Sequence, residues 1–219
     1  MEKVILYNYF RSSTSYRVRI ALNHKGIQYD YKPIHLLNNG GEQHSPEFRR
    51  INPQGEVPAL VHRGKVIAQS MAIVEYLEEV FPNCPLLPVN DPWARSRVRQ
   101  ICENINSFLH PVNNLKILQY LEAKHGYDLA QKEVWFQHWA QQGLEALEKL
   151  IGETHGKFCM GDTLTLADTF LIPQLFSCKR FKVDLSSYSI LNKINENCQP
   201  LESFKKSHPM MQPDTPKEA

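Results

Sequence analysis

Between Tyr9 and Leu22 the chain reads YFRSSTSYRVRIAL. Four consecutive hydroxyl side chains, Ser12, Ser13, Thr14 and Ser15, lie among Arg11, Arg17 and Arg19, where a short apolar strand gives way to an amphipathic helix. Hydroxyls at such a junction sit beside a helix N-terminus, whose free N–H groups and dipole favour negative charge. Two roles are open to them. They can donate a hydrogen bond to a ligand anion or thiolate, or they can simply cap the helix. Nucleophilic serine chemistry fits poorly, because no GxSxG surrounds them and no particular His–Asp pair is implied. Arg11, Arg17, Arg19 and Arg180 have the fork geometry that pairs with carboxylates, though each taken singly also suits an ion pair or a solvated surface. Arg95, Arg97 and Arg99 alternate along a helix, point in different directions and read as surface.

Two further places could carry chemistry. In Val57-Pro58 the proline follows Gly55 and Glu56 and precedes a strand. A cis bond there would turn the backbone and expose the amide and carbonyl of Val57, whereas a trans bond would only begin the strand. Gln69 and Ser70 open a helix after a strand. The Ser70 hydroxyl and amide, with the Gln69 side chain, could clamp a carboxylate. Equally, serine at an N-cap stabilises a helix by about 1 kcal/mol without any ligand.

The elements that must position these groups fall into two textures. Strands are expected over residues 4–7 and 29–34, with a helix over 15–25 between them that ends at Gly26. Ser45 followed by Pro46 reads as an N-cap with proline at the first helical position, opening a short helix towards Asn52. Residues 59–62 and 65–68, separated by Arg63 and Gly64, read as an antiparallel hairpin. Ser70 then caps a helix with Ile73, Val74, Leu77 and Phe81 on one face. The order is βαβ-αββα. Pro82, Pro85, Pro88 and Pro92 punctuate a linker, after which only helices follow. One is expected from Trp93 to about Ala123 with a kink at Pro111, a second over 129–151, and a third over 166–180. That third helix opens on a capping-box pattern, Thr165 to Asp168, and is apolar on most sides. Residues 209–219 are proline-rich and read as irregular.

Composition narrows the function classes. The 219 residues are 42% hydrophobic and 22% charged with a formal net charge of +2, which argues against nucleic acid or an anionic membrane as main partner. The opening MEKVILYNYF is too short and polar for a signal peptide, and no apolar run approaches a membrane-spanning length. Five scattered cysteines without CxxC pairing, and nine dispersed histidines without HExxH, point to a reducing cytoplasm and away from a metal site.

Taken in order, SSTSYRVRIAL after the first strand, GEVPAL, QSMAIVEYLEE, GDTLTLADTFLIPQ, RFKVDL and HPMMQPDTP resemble the zeta class of glutathione transferases over essentially the whole chain. The first and last of these motifs are specific to that class. The resemblance implies the α/β plus all-α glutathione transferase fold: a thioredoxin-like domain with a mixed sheet over 1–83, a linker over 84–92, and an all-helical domain over 93–219 with an irregular tail. It also implies a cytoplasmic homodimer that binds glutathione at the domain boundary, with the Val57-Pro58 bond cis. Val57 then offers its backbone to the cysteinyl part of glutathione, and Gln69 and Ser70 hold the γ-glutamyl carboxylate. Gln43 and Glu56 lie around the tripeptide. Ser12 and Ser13 match the catalytic hydroxyls near the sulfur, with Ser12 the first choice as hydrogen-bond donor and Thr14 beside them. His110 and Asn114 match positions that reach the cofactor from the helical half, while Arg180, with Arg11, suits a substrate carboxylate. The implied activity is glutathione-dependent cis–trans isomerisation of a small unsaturated dicarboxylate, with no metal. Conjugation of glutathione to small α-halo acids and a non-catalytic binding module are the alternatives. The chain departs from the class pattern at Thr14 and Tyr16, where cysteine and tryptophan are frequent, and at His110, where glutamine is.

Overall fold

The computed structural model describes residues 3–217. The chain divides into two compact units, one holding the chain up to Leu86 and again from Pro200, the other running Leu87–Gln199.

In the first unit β1 (Val4–Asn8), α1 (Ser13–His24), β2 (Tyr29–Pro33), α2 (Pro46–Ile51), β3 (Ala59–His62), β4 (Lys65–Ala68) and α3 (Ser70–Val80) follow the expected order. The sheet is mixed, in the order β2-β1-β3-β4: β1 pairs parallel to β2, while β1–β3 and β3–β4 are antiparallel. Local chemistry sets the boundaries. Ser45 caps α2 by accepting from the Phe48 N–H, and α1 ends before Gly26 at φ +66°. Arg63 and Gly64 both have positive φ, the pattern of a two-residue type I′ turn whose twist suits a hairpin. Leu6 and Leu60 face each other across β1 and β3, and both are fully buried, as are Val18, Ile20 and Leu22 of α1 and Ile73, Val74 and Leu77 of α3.

Two expectations for this unit are corrected. First, α1 is not amphipathic: every residue from Ser15 to Leu22 is buried, Arg17 and Arg19 included. Residues two apart point to different sides of a helix, so the two guanidiniums are buried in different directions. Second, the described residues from Pro200 onward group with the first unit rather than with the helical half, and the tail expected to be irregular holds a short regular turn. α10 (Glu202–Ser207) packs against α1, and residues 209–211 form a 3-10 turn. Gln212 Nε2 donates to the carbonyls of Lys206 and His208, and Thr215 Oγ1 to that of Pro209.

The second unit contains α4 (Pro92–Glu103), α5 (His110–Val112), α6 (Leu115–His125), α7 (Leu129–Gly152), α8 (Leu166–Arg180) and α9 (Ser189–Cys198). Where one kinked helix was expected, α4 runs into a π-helical segment over Asn104–Leu109, and the chain breaks at Asn113 and Asn114 rather than at Pro111. Pro111 lies inside this helical run, with Leu109 and His110 both in helical conformation, and follows directly on the π-helical turns in which the His110 N–H bonds the Ile105 carbonyl. Gly143 lets α7 approach that segment closely, since a Cβ there would lie 2.3 Å from a methyl of Leu109. α8 is buried along most of its length and is fixed by the expected capping box. The Asp168 carboxylate accepts from Cys159 N–H (2.9 Å), Thr165 N–H (2.8 Å) and Thr165 Oγ1 (3.2 Å). Burial raises its pKa, and these donors offset only part of the rise. Replacing Asp168 with alanine strands buried donors and uncaps α8. Asp168→Ala is therefore expected to cost about 3 kcal/mol of unfolding free energy, read as a lowered urea midpoint at unchanged slope.

Candidate functional site

The strand-to-helix junction after β1 gathers most of the expected chemistry of the first unit. Ser12 is the N-cap of α1: its Oγ accepts from the Ser15 N–H at 3.2 Å. The same oxygen lies 2.9 Å from Thr14 Oγ1, and Thr14 Oγ1 donates to the Val57 carbonyl at 3.0 Å. A hydroxyl has one proton, and a carbonyl can only accept. Thr14 therefore spends its proton on Val57, and Ser12 is the donor within the hydroxyl pair. Three expected site residues, Ser12, Thr14 and Val57, thus form one directed chain from the start of α1 to the loop before β3. Val57-Pro58 is cis. Asn52 shapes that loop, donating from Nδ2 to the Glu56 carbonyl (2.7 Å) and accepting from the Gln54 N–H (3.2 Å). Ser13, half-buried, is the first helical residue.

A second polar group forms where β4 enters α3. Ser70 is the first helical residue rather than the cap, and Gln69 occupies the cap position at φ +72°. The buried Ser70 hydroxyl accepts from Arg17 Nη1 at 3.1 Å, and Gln69 Nε2 donates to Gln54 Oε1 at 2.7 Å. Arg17 thereby places a buried cation directly behind the N-terminus of α3, adding to the positive end of the helix dipole. Sequence reading named Arg17 only as one of several carboxylate partners and passed over Gln54. A buried arginine pattern becomes legible only once α1 is known to be covered on every side.

Other expected residues stand differently. Gln43 is buried, with Nε2 donating to the Leu36 carbonyl at 3.4 Å. A Cβ at Gly41 would lie 2.5 Å from that amide, so the side chain is held inside its own loop. Arg11 is half-buried with its guanidinium 5.7 Å from the centre of the Phe10 ring. In the second unit Asn114 caps α6 by accepting from the Lys116 N–H, and its Nδ2 lies 3.1 Å from His110 Nε2. Arg180, exposed at the end of α8, lies over the Phe181 ring at 4.7 Å. The thiols there are poor nucleophiles: burial raises Cys159 and Cys198 and pushes Cys178 up to about 12. No helix among the described residues is long and apolar enough to cross a membrane.

Residues 2–79 match the family model described as "Glutathione S-transferase, N-terminal domain". Over 216 residues the chain is 47% identical to the maleylacetoacetate isomerase of Mus musculus, covering 99% of this chain and 97% of that protein. Among solved structures it resembles a holo maleyl pyruvate isomerase, described as a bacterial glutathione S-transferase of the zeta class, with TM-score 0.93 and 41% identity over 97% of this chain and 100% of that one. It also resembles a maleylacetoacetate isomerase from Anaeromyxobacter dehalogenans with dicarboxyethyl glutathione and citrate bound in its active site. There the TM-score is 0.85 and the identity 37%, over 99% of this chain and 100% of that one.

The Arg17–Ser70 contact gives a direct test of the polar group at α3. Ser70→Ala removes one acceptor from a buried guanidinium, and the expected cost is about 1–3 kcal/mol of stability, measured by chemical unfolding without any ligand.

Proposed function

The chain belongs to the zeta class of the glutathione transferase family, and from that membership and the polar groups around α1 and α3 we propose that it is a glutathione-dependent cis–trans isomerase. Its substrate is maleylacetoacetate, converted to fumarylacetoacetate in the breakdown of tyrosine and phenylalanine. The observation that carries the proposal is the directed chain from Ser12 through Thr14 to Val57, which ties a sulfur-facing hydroxyl to the backbone that would hold a cysteinyl residue. The donor set suits the tripeptide. Ser70 and the α3 N-terminus, backed by the Arg17 charge, match a carboxylate, while the Ser12 hydroxyl at the α1 N-terminus matches a thiolate. Gln43 Oε1, buried without a partner among the described residues, leaves one further acceptor for an amide.

When bound, glutathione supplies a thiol sulfur that adds reversibly to a double bond conjugated to a carbonyl, which lets that bond rotate. The residues of the chain do the rest. Ser12 turns its proton from Thr14 towards the sulfur, and the helix dipole favours the anion there. Val57 and Ser70 hold the two ends of the cysteinyl and γ-glutamyl part. Gln69, braced by Gln54, keeps the α3 entrance in place. Arg11 and Arg180 pair with substrate carboxylates and stabilise negative charge as it develops. His110 and Asn114 add contacts to glutathione, with Ser13 a second hydroxyl for its sulfur. The buried thiols of Cys159, Cys178 and Cys198 are weakly acidic and ill suited to take the place of glutathione as the nucleophile.

A cytoplasmic homodimer belongs to the same reading, supported by the class resemblance and by cysteines without CxxC spacing. Maleylpyruvate is the second candidate substrate, favoured by the likeness to the holo maleyl pyruvate isomerase. A spectrophotometric assay of both compounds with and without glutathione decides the matter. Turnover is expected only with glutathione, with free thiol unchanged at the end, and Ser12→Ala is expected to lower kcat about a hundredfold. Turnover without glutathione overturns the mechanism, and consumption of thiol reassigns the chain to conjugation.

A further inference from the structure

The segment leading into Ser12 is held from behind by two residues that the reaction itself does not use. Residues 9–12 form a turn in which the Ser12 N–H donates to the Tyr9 carbonyl at 3.1 Å. Arg19 is fully buried, and its guanidinium spans that turn. Nη1 donates to the Tyr9 carbonyl (3.2 Å) and to Asn8 Oδ1 (3.0 Å), and Nη2 donates to the Phe10 carbonyl (2.9 Å). Its Nε donates to the Ser207 carbonyl at 3.1 Å, which fastens the fork to the C-terminal stretch. From that stretch Asp214 returns to the same turn, accepting the Phe10 N–H at 3.0 Å with Oδ2 and the Tyr31 hydroxyl with Oδ1. The amide and the carbonyl of Phe10 are therefore each fixed by a charged side chain, two residues before the hydroxyl that faces the sulfur. Charge-assisted bonds of this kind are shorter and stronger than neutral ones.

We propose that Arg19 and Asp214 are positioning residues for the reaction, making the C-terminal stretch from Ser207 to Thr215 part of the apparatus that aims Ser12. The stretch is built for this. Asn23 Nδ2 holds Ser207 Oγ at 2.7 Å, and Gln212 and Thr215 bond it to itself. A tail serving only to cover α1 would need apolar contact, not a carboxylate aimed at one backbone amide. The inference rests on the reading that Ser12 serves the glutathione sulfur.

The test titrates the thiolate absorbance of bound glutathione against pH in the full chain, alongside kcat, KM for glutathione and the thermal midpoint. Asp214→Ala is expected to raise the pKa of the bound thiol by about one unit and to lower kcat roughly tenfold, with KM for glutathione little changed. Asp214→Asn keeps an oxygen for the Phe10 amide and is expected to restore most of both. Should Asp214→Ala fail to fold, Asp214→Glu, which shifts the carboxylate by one methylene, is expected to move the titration in the same direction. Folded variants whose titration and kcat superimpose on the wild type, with only the thermal midpoint lowered, overturn the inference and reduce the stretch to a brace. A wild-type chain that binds no glutathione overturns the functional reading, and this inference with it.

Discussion

A cation buried on every side must find acceptors, because leaving it unpaired costs several kcal/mol. In this chain the constraint falls on Arg19 and Arg17, both fully buried on α1. Arg19 meets it with three carbonyls and one side-chain amide, and so joins the end of β1, the turn before Ser12 and the C-terminal stretch around a single guanidinium. Arg17 reaches the opposite way, to the hydroxyl that opens α3. The requirement that neither charge be stranded thus fixes how α1 sits against its neighbours. Both polar groups of the site hang from that helix, one at its N-terminus and one through Arg17. Burial lowers the Arg19 pKa, and the carboxylate of Asp214 and nearby tyrosines oppose the shift.

The same charges explain what a reader of the sequence could and could not see. Caps, turns and hairpins are written locally: Ser45 before Pro46, Arg63 with Gly64, and Thr165 with Asp168 all act within a few residues, and the elements they bound appear as expected. Arg17 and Arg19 are long-range residues. Arg17 bonds Ser70 at a separation of 53, and Arg19, besides its partners 9 to 11 residues back, reaches Ser207 at 188; no periodicity signals that a helix with two arginines is covered on all sides. The prolines of the last dozen residues read as irregular chain for the same reason. What orders that segment is Asp214, which bonds to Phe10 across 204 residues. Ser70 shows a subtler shift. Its place at a helix start was legible, but Gln69 takes the cap position at φ +72°. The hydroxyl is thereby left to accept from Arg17, as a second, distant partner rather than a local cap.

Hydroxyl chemistry at the junction sharpens the departure at Thr14. A cysteine there would offer a weak donor and a weak acceptor. Threonine instead takes the Ser12 proton and passes its own to the Val57 carbonyl. In the ligand-free chain Ser12 is consequently satisfied twice, accepting from the Ser15 N–H and donating to Thr14. A sulfur anion arriving at Ser12 competes with Thr14 for that proton, and a charged acceptor wins against a neutral hydroxyl. The cost is one neutral hydrogen bond, about 1 kcal/mol net. Against it stand the positive end of the α1 dipole and a backbone that Arg19 and Asp214 hold in place. Ser12 keeps its geometry while its proton changes partner, because the cap bond from Ser15 uses the other side of the same oxygen. The threonine therefore does not close the site to a thiolate. It makes the resting hydroxyl ordered rather than free, with its exchange of partners driven by the charge that arrives.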